Sequence, residues 1–429
     1  MTSTPPLLPE LAALTSDDSM LTRRFGKEVI NYYAGSRLNR YSFLRSDAAF
    51  LNKAATSSSA RFVALTDLNP LVVEKRKLAL LTYDDVKPLI EEPFKLADAQ
   101  RTKNYDSTAG PSALIVFLGT VDGDDVIFET SEHGEVKGRP FFALDITPKG
   151  QRKDLAETWL KTQEEKGLWI ATNPRSLSLH SEDGMSFPTA LLLPTLTPAT
   201  AAMFAQARSI IDWNVRNVFC AGCGNPNLSI EAGYKRICPP TDLKGSSEAI
   251  ELPDCPTRHG VSNVCFPRTD PTMIAAVVSA DGQRILLGRQ TRWPPYWHST
   301  LAGFLEPGES IEEAVRREVW EEAGVRVGRV VVHSTQPWPY PSSLMIGAIA
   351  QALPGDGEKI NLNDKELESA RWFTVEEVRT ALAQTAGALG APPPKDYKEG
   401  DLRVPPPQAI ANRLMTAVVE GYLLGNSKI

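Results

Sequence analysis

Between Gly303 and Val325 this 429-residue chain fixes nine positions over 23 residues. Gly303 is followed after five residues by Glu309, and after seven more by Arg317-Glu318-Val319-Trp320-Glu321-Glu322-Ala323-Gly324-Val325. No other stretch constrains the fold as tightly, because this one marks both ends of a helix. Ser310 and Glu313 form a capping box at its start, and Gly324 stands where a helix C′ glycine belongs. Glu318 and Glu322 are four apart and share a face, with Glu321 beside them. Three carboxylates at that spacing repel, and the last two also sit at the negative end of the helix dipole. Arg317 can pair with Glu321, but one guanidinium does not neutralise the set, whereas Mg2+ or Mn2+ bound through oxygen ligands would. A solvated glutamate face would need neither Gly303 nor the spacing of Arg317.

With every fixed position filled, the segment resembles the Nudix hydrolase signature Gx5Ex7REUxEExGU, in which U is apolar. The resemblance implies an α/β/α sandwich in which water attacks phosphorus in line and two or more Mg2+ or Mn2+ ions per site bridge the substrate's phosphates. It implies Glu318 and Glu322 as the main metal ligands, with Glu321 assisting and Arg317 and Glu309 completing the catalytic set. The carbonyl of Ala302 and a loop glutamate, Glu366, are implied as further ligands, and Glu368 is the competitor for the second place.

Eleven residues past the box comes Gln336-Pro337-Trp338-Pro339-Tyr340-Pro341-Ser342-Ser343. Alternating prolines stiffen the backbone and present two aromatics in fixed directions, which suits stacking on a nicotinamide or adenine ring. Gln336 and Ser343 can add hydrogen bonds. The other reading is a rigid structural turn that buries Trp338 and Tyr340. The segment resembles SQPWPFPxS, the mark of NADH pyrophosphatases among Nudix enzymes, with Thr335 in place of Ser and Tyr340 in place of Phe. Substrate contacts are then expected along 336–343, from Phe266 and Phe304, and at Ala411, which matches a family position near the substrate.

The five cysteines all fall between Cys220 and Cys265, unlike a secreted disulfide framework. Cys220-Ala221-Gly222-Cys223-Gly224 reads as a zinc knuckle that Cys238 and Cys255 can close into a structural four-cysteine site holding one Zn2+ per subunit. Relatives usually have the second cysteine pair close together. Here an insert, Thr241–Pro253, separates Cys238 from Cys255, and Cys265 is the competing fourth ligand.

Length calls for two or three domains. The expected division is a mobile tail over 1–20, an N-terminal Nudix-like α/β domain over 21–198, a connecting helix (Ala199–Trp213) and zinc ribbon over 199–268, and the catalytic Nudix domain over 269–429. Within the last, Ala391–Pro407 reads as an exposed loop and Gln408–Leu424 as a closing helix. Asn39–Arg45 resembles the start of the eukaryotic members' N-terminal domain. That half has no carboxylate box, so it is expected to be catalytically silent and to serve dimerisation, as a homodimer, or substrate enclosure.

A net charge of −6 provides no global field to gather long nucleic acids. No apolar run approaches the roughly 20 residues that span a bilayer, and an intracellular, non-membrane protein is expected. The resemblance implies hydrolysis of NADH to NMNH and AMP, with NAD+ and related dinucleotides as lesser substrates. The alternative is removal of an NAD cap from RNA 5′ ends at the same site. A zinc-ribbon nucleic-acid binding module with a vestigial Nudix fold would need a damaged box and a basic ribbon; the box is intact, and Lys235, Arg236 and Lys244 make a thin patch. The final Ser427-Lys428-Ile429 resembles the peroxisomal Ser-Lys-Leu address, so import through its receptor is expected, with the cytoplasm as the alternative location.

Overall fold

The computed structural model describes residues 29–73, 77–110, 113–121, 126–130, 133–171, 196–259, 263–363, 366–385 and 397–421. The expected tail over 1–20 and the terminal Ser427–Ile429 lie outside the described residues.

The N-terminal sheet is built on β1 (Arg61–Thr66), β2 (Asn69–Val73), β3 (Ile115–Val121) and β4 (Arg139–Asp145). β1 and β4 run parallel, with Arg61 opposite Phe141 and Leu65 opposite Asp145. The hairpin partner β2 flanks β1 and β3 flanks β4, both antiparallel. Three short strands complete the sheet beside these, Leu80–Leu81 against β1, and Lys77–Leu78 and Leu168–Ile170 against β2. A parallel pair must be buried on both faces, and the residues of β1 comply. Phe62 and Ala64 face helices α1 (Ala48–Thr56), α2 (Tyr83–Ile90) and α3 (Lys153–Glu165), while Val63 and Leu65 face α4 (Pro198–Arg216). The last is the connecting helix, three residues longer at its C-terminal end than the expected Ala199–Trp213 and capped by the Thr197 side chain.

The catalytic domain repeats this wiring. Its strands are β5 (Asp270–Val278), β6 (Arg284–Arg289), β7 (Leu301–Phe304), β8 (Val327–Trp338), β9 (Ser343–Ala352) and β10 (Ser369–Thr374), in the order β8-β9-β5-β6-β10 with β7 beside β5. β5 and β9 form the parallel pair, from Asp270 opposite Ser343 to Val278 opposite Gln351. Met273, Ala275 and Val277 pack against α5 (Ile311–Ala323), whereas Ile274, Ala276 and Val278 pack with α6 (Val375–Gln384) and α7 (Ile410–Val419). This is the expected α/β/α sandwich.

Strand for strand, β1, β2, Leu80–Leu81, β3, β4 and Leu168–Ile170 pair as β5, β6, β7, β8, β9 and β10 do. After Leu80–Leu81 comes α2, as α5 follows β7. Its sequence Tyr83-Asp84-Asp85-Val86-Lys87-Pro88-Leu89-Ile90 keeps a capping box from Thr82 and Asp85 but contains Pro88 and no trio of glutamates. The N-terminal half therefore has the frame of the catalytic domain without its acidic helix.

Two expectations change. Of the loop Ala391–Pro407, residues 391–396 lie outside the described residues, but Val404, Pro405 and Pro406 are buried rather than exposed. Arg403 anchors this stretch: its N–H donates to the Tyr296 carbonyl, its carbonyl accepts from the His298 N–H, and its guanidinium lies 5.0 Å from the Trp297 ring centre. The insert Thr241–Pro253 folds as a small hairpin, Thr241–Asp242 against Ile250–Glu251, docked on the N-terminal domain through Ser107 N–H to Asp242 Oδ1 (2.9 Å) and Leu243 N–H to the Tyr105 carbonyl (2.9 Å). Among the described residues no helix is long and apolar enough to cross a membrane.

Candidate active site

Helix α5 begins with the expected capping box. Ser310 accepts from the Glu313 N–H, Glu313 accepts from the Ser310 N–H, and Gly324 closes the helix at φ 70°. A β-carbon at position 324 would be strained by that left-handed conformation and would also meet the Asn361 backbone. Both ends are thus fixed, which sets the rotation of the helix over the sheet: Ala314, Val315 and Val319 point into the core, and the charged edge faces the strand β7.

On that edge Arg317 organises the site. Its guanidinium holds Glu309 by two bonds (2.7 and 2.9 Å), reaches Glu318 and Glu321 at 3.0 Å each, and donates to the carbonyl of Phe304 at 2.9 Å. One side chain therefore ties the glycine loop to the helix and orients three of the carboxylates. The Arg317 bonds hold Glu309 below the usual carboxylate range, and the carboxylates in turn raise the pKa of Arg317. Glu318 is pushed the other way by burial, with repulsion from Glu321 and Glu366 added, against the pull of Arg317. Glu322, only 3 % exposed, is the most buried of the four glutamates. A buried carboxylate set with more negative charge than its arginine neutralises is suited to a hard divalent cation.

Gly303 carries a second constraint. A β-carbon there would lie 2.0 Å from Glu318 Cδ and 2.2 and 2.3 Å from its oxygens, so the Glu318 carboxylate rests directly on the backbone of β7, next to Ala302. This cradle is the observation that fits the chain to a metal held between a backbone carbonyl and the helix carboxylates. Gly303→Ala is expected to cost about 1–2 kcal/mol of stability, because the end of a flexible side chain can move aside. Moving it removes Glu318 from its place, so kcat should fall roughly 100-fold. A thermal melt and initial rates on one preparation check this, and near-normal activity would contradict it.

Glu366 and Glu368 differ in what they touch. Glu368 pairs with Arg289 at 3.1 Å, whereas Glu366 adds to the negative charge felt by Glu318 and takes a long hydrogen bond from Gln290 (3.4 Å). The sequence carried no signal for Gln290. Glu366→Ala is expected to lower kcat at least tenfold, and Glu368→Ala, which breaks a half-exposed ion pair, should change stability by less than about 1 kcal/mol and leave the rate near normal. Equal losses from both would contradict the assignment.

The expected cysteine ligands and their fourth member stand together in the structure. The Sγ atoms of Cys220, Cys223, Cys238 and Cys255 all lie within 4.8 Å of one another. Cys265 is apart from them, its thiol near the Thr257 carbonyl at 3.8 Å. Contacts of 3.6 Å (Cys220 to Cys255) and 3.5 Å (Cys223 to Cys238) are far too long for disulfides and suit four ligands around one ion. Burial opposes a thiolate at Cys220, but the Thr257 hydroxyl and the N–H groups of Gly222 and Cys223 bring its pKa down to about 6. Four such ligands would leave no open position on an ion held between them.

The proline-rich segment departs from expectation. Gln336 is fully buried, and its amide is committed inside the protein: it donates to the carbonyls of Tyr32 (2.9 Å) and Gln408 (2.8 Å) and accepts from the Ile410 N–H (3.0 Å). Its amide thus joins three segments of the chain. Trp338 and Tyr340 pack against the N-terminal core, edge-on to Tyr33 at 6.1 and 6.3 Å, and the Arg208 guanidinium lies over Tyr340 at 4.6 Å while donating to the Pro339 carbonyl. Ser342 donates to the Arg268 carbonyl and Ser343, also buried, pairs with Trp338 and with Asp270 across the sheet. Pro337 lies in β8 opposite Leu344, and Pro341 is exposed beyond a cis bond from Tyr340. Ala411, in α7, is 3 % exposed and lies in the core cluster that this helix forms with the sheet. Of the expected ring contacts only Phe304 (58 % exposed) and Phe266 (39 %) present open aromatic surface. Asn31 completes the interdomain strut, donating to Ser334 Oγ (3.0 Å) and the Thr335 carbonyl (2.9 Å). Neither it, Tyr33 nor Arg208 carried any sequence signal.

An acidic helix seated under a glycine strand in this sandwich defines a Nudix hydrolase. Residues 269–391 match the NUDIX domain and residues 59–213 match the NADH pyrophosphatase-like rudimentary NUDIX domain, in accord with the repeated strand wiring. The chain is 36 % identical over 389 residues to a Schizosaccharomyces pombe protein named NAD-capped RNA hydrolase, covering 90 % of this chain and 92 % of that one. It is 35 % identical to a Homo sapiens protein of the same description, covering 91 % and 73 %, and 36 % identical to a mitochondrial NAD(P)H pyrophosphatase of Mus musculus, covering 69 % and 72 %. The chain belongs to the NADH pyrophosphatase family of Nudix hydrolases.

Proposed function

We propose that this enzyme hydrolyses the pyrophosphate bond of NADH, giving NMNH and AMP, and acts on NAD+ and related dinucleotides by the same chemistry. The observation that supports this most is the Glu318 carboxylate seated on Gly303 with Arg317 spanning Glu309, Glu318 and Glu321, in a chain whose relatives are named for NAD(P)H and NAD-capped RNA.

Glu318, Glu322 and Glu366, with the Ala302 carbonyl, would hold Mg2+ or Mn2+, two or more ions per site. When bound, such ions supply charge neutralisation of the phosphates and activation of water. Arg317 stays with the carboxylates and keeps their geometry fixed while charge builds up on phosphorus. Phe304, at the end of β7 and open to solvent, offers a ring face to one of the two heterocycles. The four-cysteine site would hold one structural Zn2+, and a homodimer remains the reading for the assembly.

Removal of the NAD cap from RNA uses the same bond and residues, and two of the named relatives favour it as a second activity. Initial rates of AMP-end release from NADH and from an NAD-capped RNA oligonucleotide, taken with Mg2+ and with Mn2+, test the proposal. Turnover of NADH at kcat/KM above roughly 10^4 M−1 s−1 is expected of an enzyme working on its own substrate; turnover of neither would reject it.

A further inference from the structure

The N-terminal domain holds a cavity of about 680 Å3 that belongs to no part of the site described above. It lies on the sheet face covered by α1, whose residues Asn52 and Lys53 line it together with Phe43, Phe94, Lys95 and His133. Trp338 and Tyr340 pack on the opposite face, so the thickness of the sheet separates the cavity from the 336–343 segment.

Its lining has a definite chemistry. Phe43 is 53 % exposed, yet it is not loose: its ring meets Tyr41 at 5.7 Å and His133 at 4.7 Å, both edge-on. Tyr41, the residue before the 3-10 turn Ser42–Leu44 that carries Phe43, holds a left-handed φ of 36°, an unfavourable conformation for a tyrosine. An exposed, positioned aromatic in a concavity is a stacking platform. Asn52 adds a half-buried amide to the lining, its Oδ1 without a hydrogen-bond partner among the described residues. Lys53 is exposed, and among the described residues Lys95 is paired only with exposed Glu92 at 3.2 Å, which an anion can displace at little cost. Asp47, also at the rim, is engaged in capping α1 through the Phe50 N–H, so an anionic group would lie toward the two lysines and away from it. The volume falls within the range of small-ligand sites, roughly 300–1,000 Å3.

We propose that this cavity is a second, non-hydrolytic nucleotide site, binding a purine nucleoside 5′-phosphate with the base on Phe43 and the phosphate at Lys53 and Lys95. No carboxylate trio is present on α2, so the bound nucleotide is held and not cleaved. The same chemistry is offered by free AMP and by the 5′-phosphorylated end of an RNA.

The test is equilibrium dialysis of AMP against the full-length, zinc-loaded chain, comparing wild type with Phe43→Ala and with the double variant Lys53→Ala/Lys95→Ala. All three side chains are exposed enough for the variants to keep the wild-type melting temperature, which is measured on the same samples. Wild type should bind one more AMP per chain than either variant, or bind it at least tenfold more tightly at that site, with kcat/KM for NADH within twofold of wild type throughout. Displacement of the variant-sensitive AMP by a 5′-phosphorylated oligoadenylate would assign the site to RNA ends, and its retention would assign it to the free nucleotide. Identical AMP stoichiometry and affinity in all three proteins would overturn the proposal. NADH turnover is read separately in each sample, so a failure of the hydrolase reading would be seen independently of a failure here.

Discussion

Glu322→Gln is expected to leave a folded protein with kcat lowered by roughly 10^2- to 10^4-fold, equivalent to about 3–5 kcal/mol of transition-state stabilisation. The substitution keeps the shape of a side chain that is 3 % exposed and removes only its charge. In a site where burial already raises Glu318 and a single arginine serves several carboxylates, losing one anion should relieve repulsion. The protein should therefore melt at or slightly above the wild-type temperature while losing activity. This opposite movement separates a metal-ligand role from a structural one, for which stability and activity would fall together. A variant of near-normal rate at saturating Mg2+ would remove Glu322 from the ligand set.

Cys255→Ser should have the largest effect on stability. Cys255 is completely buried, 3.6 Å from Cys220, and shares the Thr257 hydroxyl with it. Serine leaves three thiols that cannot close a tetrahedron and puts a hydroxyl in a cluster built for sulfur. A structural metal contributes its binding free energy to folding, and losses of this kind are on the order of 4 kcal/mol or more. The ribbon also carries the 241–251 hairpin that docks on the N-terminal domain, so the damage should spread beyond the knuckle. Zinc content measured by atomic absorption should fall from one per chain towards zero, and the melting temperature should drop with it. Cys265→Ser, by contrast, should leave both unchanged, and a loss of zinc there would contradict the assignment.

The acidic helix was legible because its constraints are local. The capping box, the i,i+4 glutamates and the closing glycine are all set by neighbours within about two turns, so residue identity alone fixes them. Gly303 was legible as a motif, but its reason, a carboxylate lying against its Cα, is visible only once β7 is brought under α5. The ribbon was legible to the level of three cysteines, and the fourth needed the hairpin insert to fold before Cys255 rather than Cys265 came into place.

The proline-rich segment shows where such reading stops. Its stiffness follows from sequence, but what a stiff aromatic loop faces is decided by distant residues. Asn31, Tyr33 and Arg208 lie between 131 and 307 residues from their partners here, and they turn Trp338 and Tyr340 onto the N-terminal domain. Of the two readings of this segment, the packing supports the structural turn. Likewise, the Nudix-like N-terminal domain was legible only through the family resemblance and not as an internal repeat, because strand order is preserved while residue identity is not: Pro88 and a two-aspartate start stand where the catalytic domain has its glutamates. Ala411 illustrates the same limit from the other side, since a family position near a substrate is here enclosed by Ile410, Leu414 and the sheet.

The central claim is that these carboxylates cleave a dinucleotide between its two phosphorus atoms. The most direct measurement is the product balance from NADH with Mg2+, run in 18O-labelled water and read by mass spectrometry. The account predicts NMNH and AMP in equal amounts, one labelled oxygen per bond cleaved and carried on one of the two new phosphate groups, with both products lost in Glu322→Gln. Release of free nicotinamide, or NMNH and AMP formed at the same rate by Glu322→Gln, would contradict it.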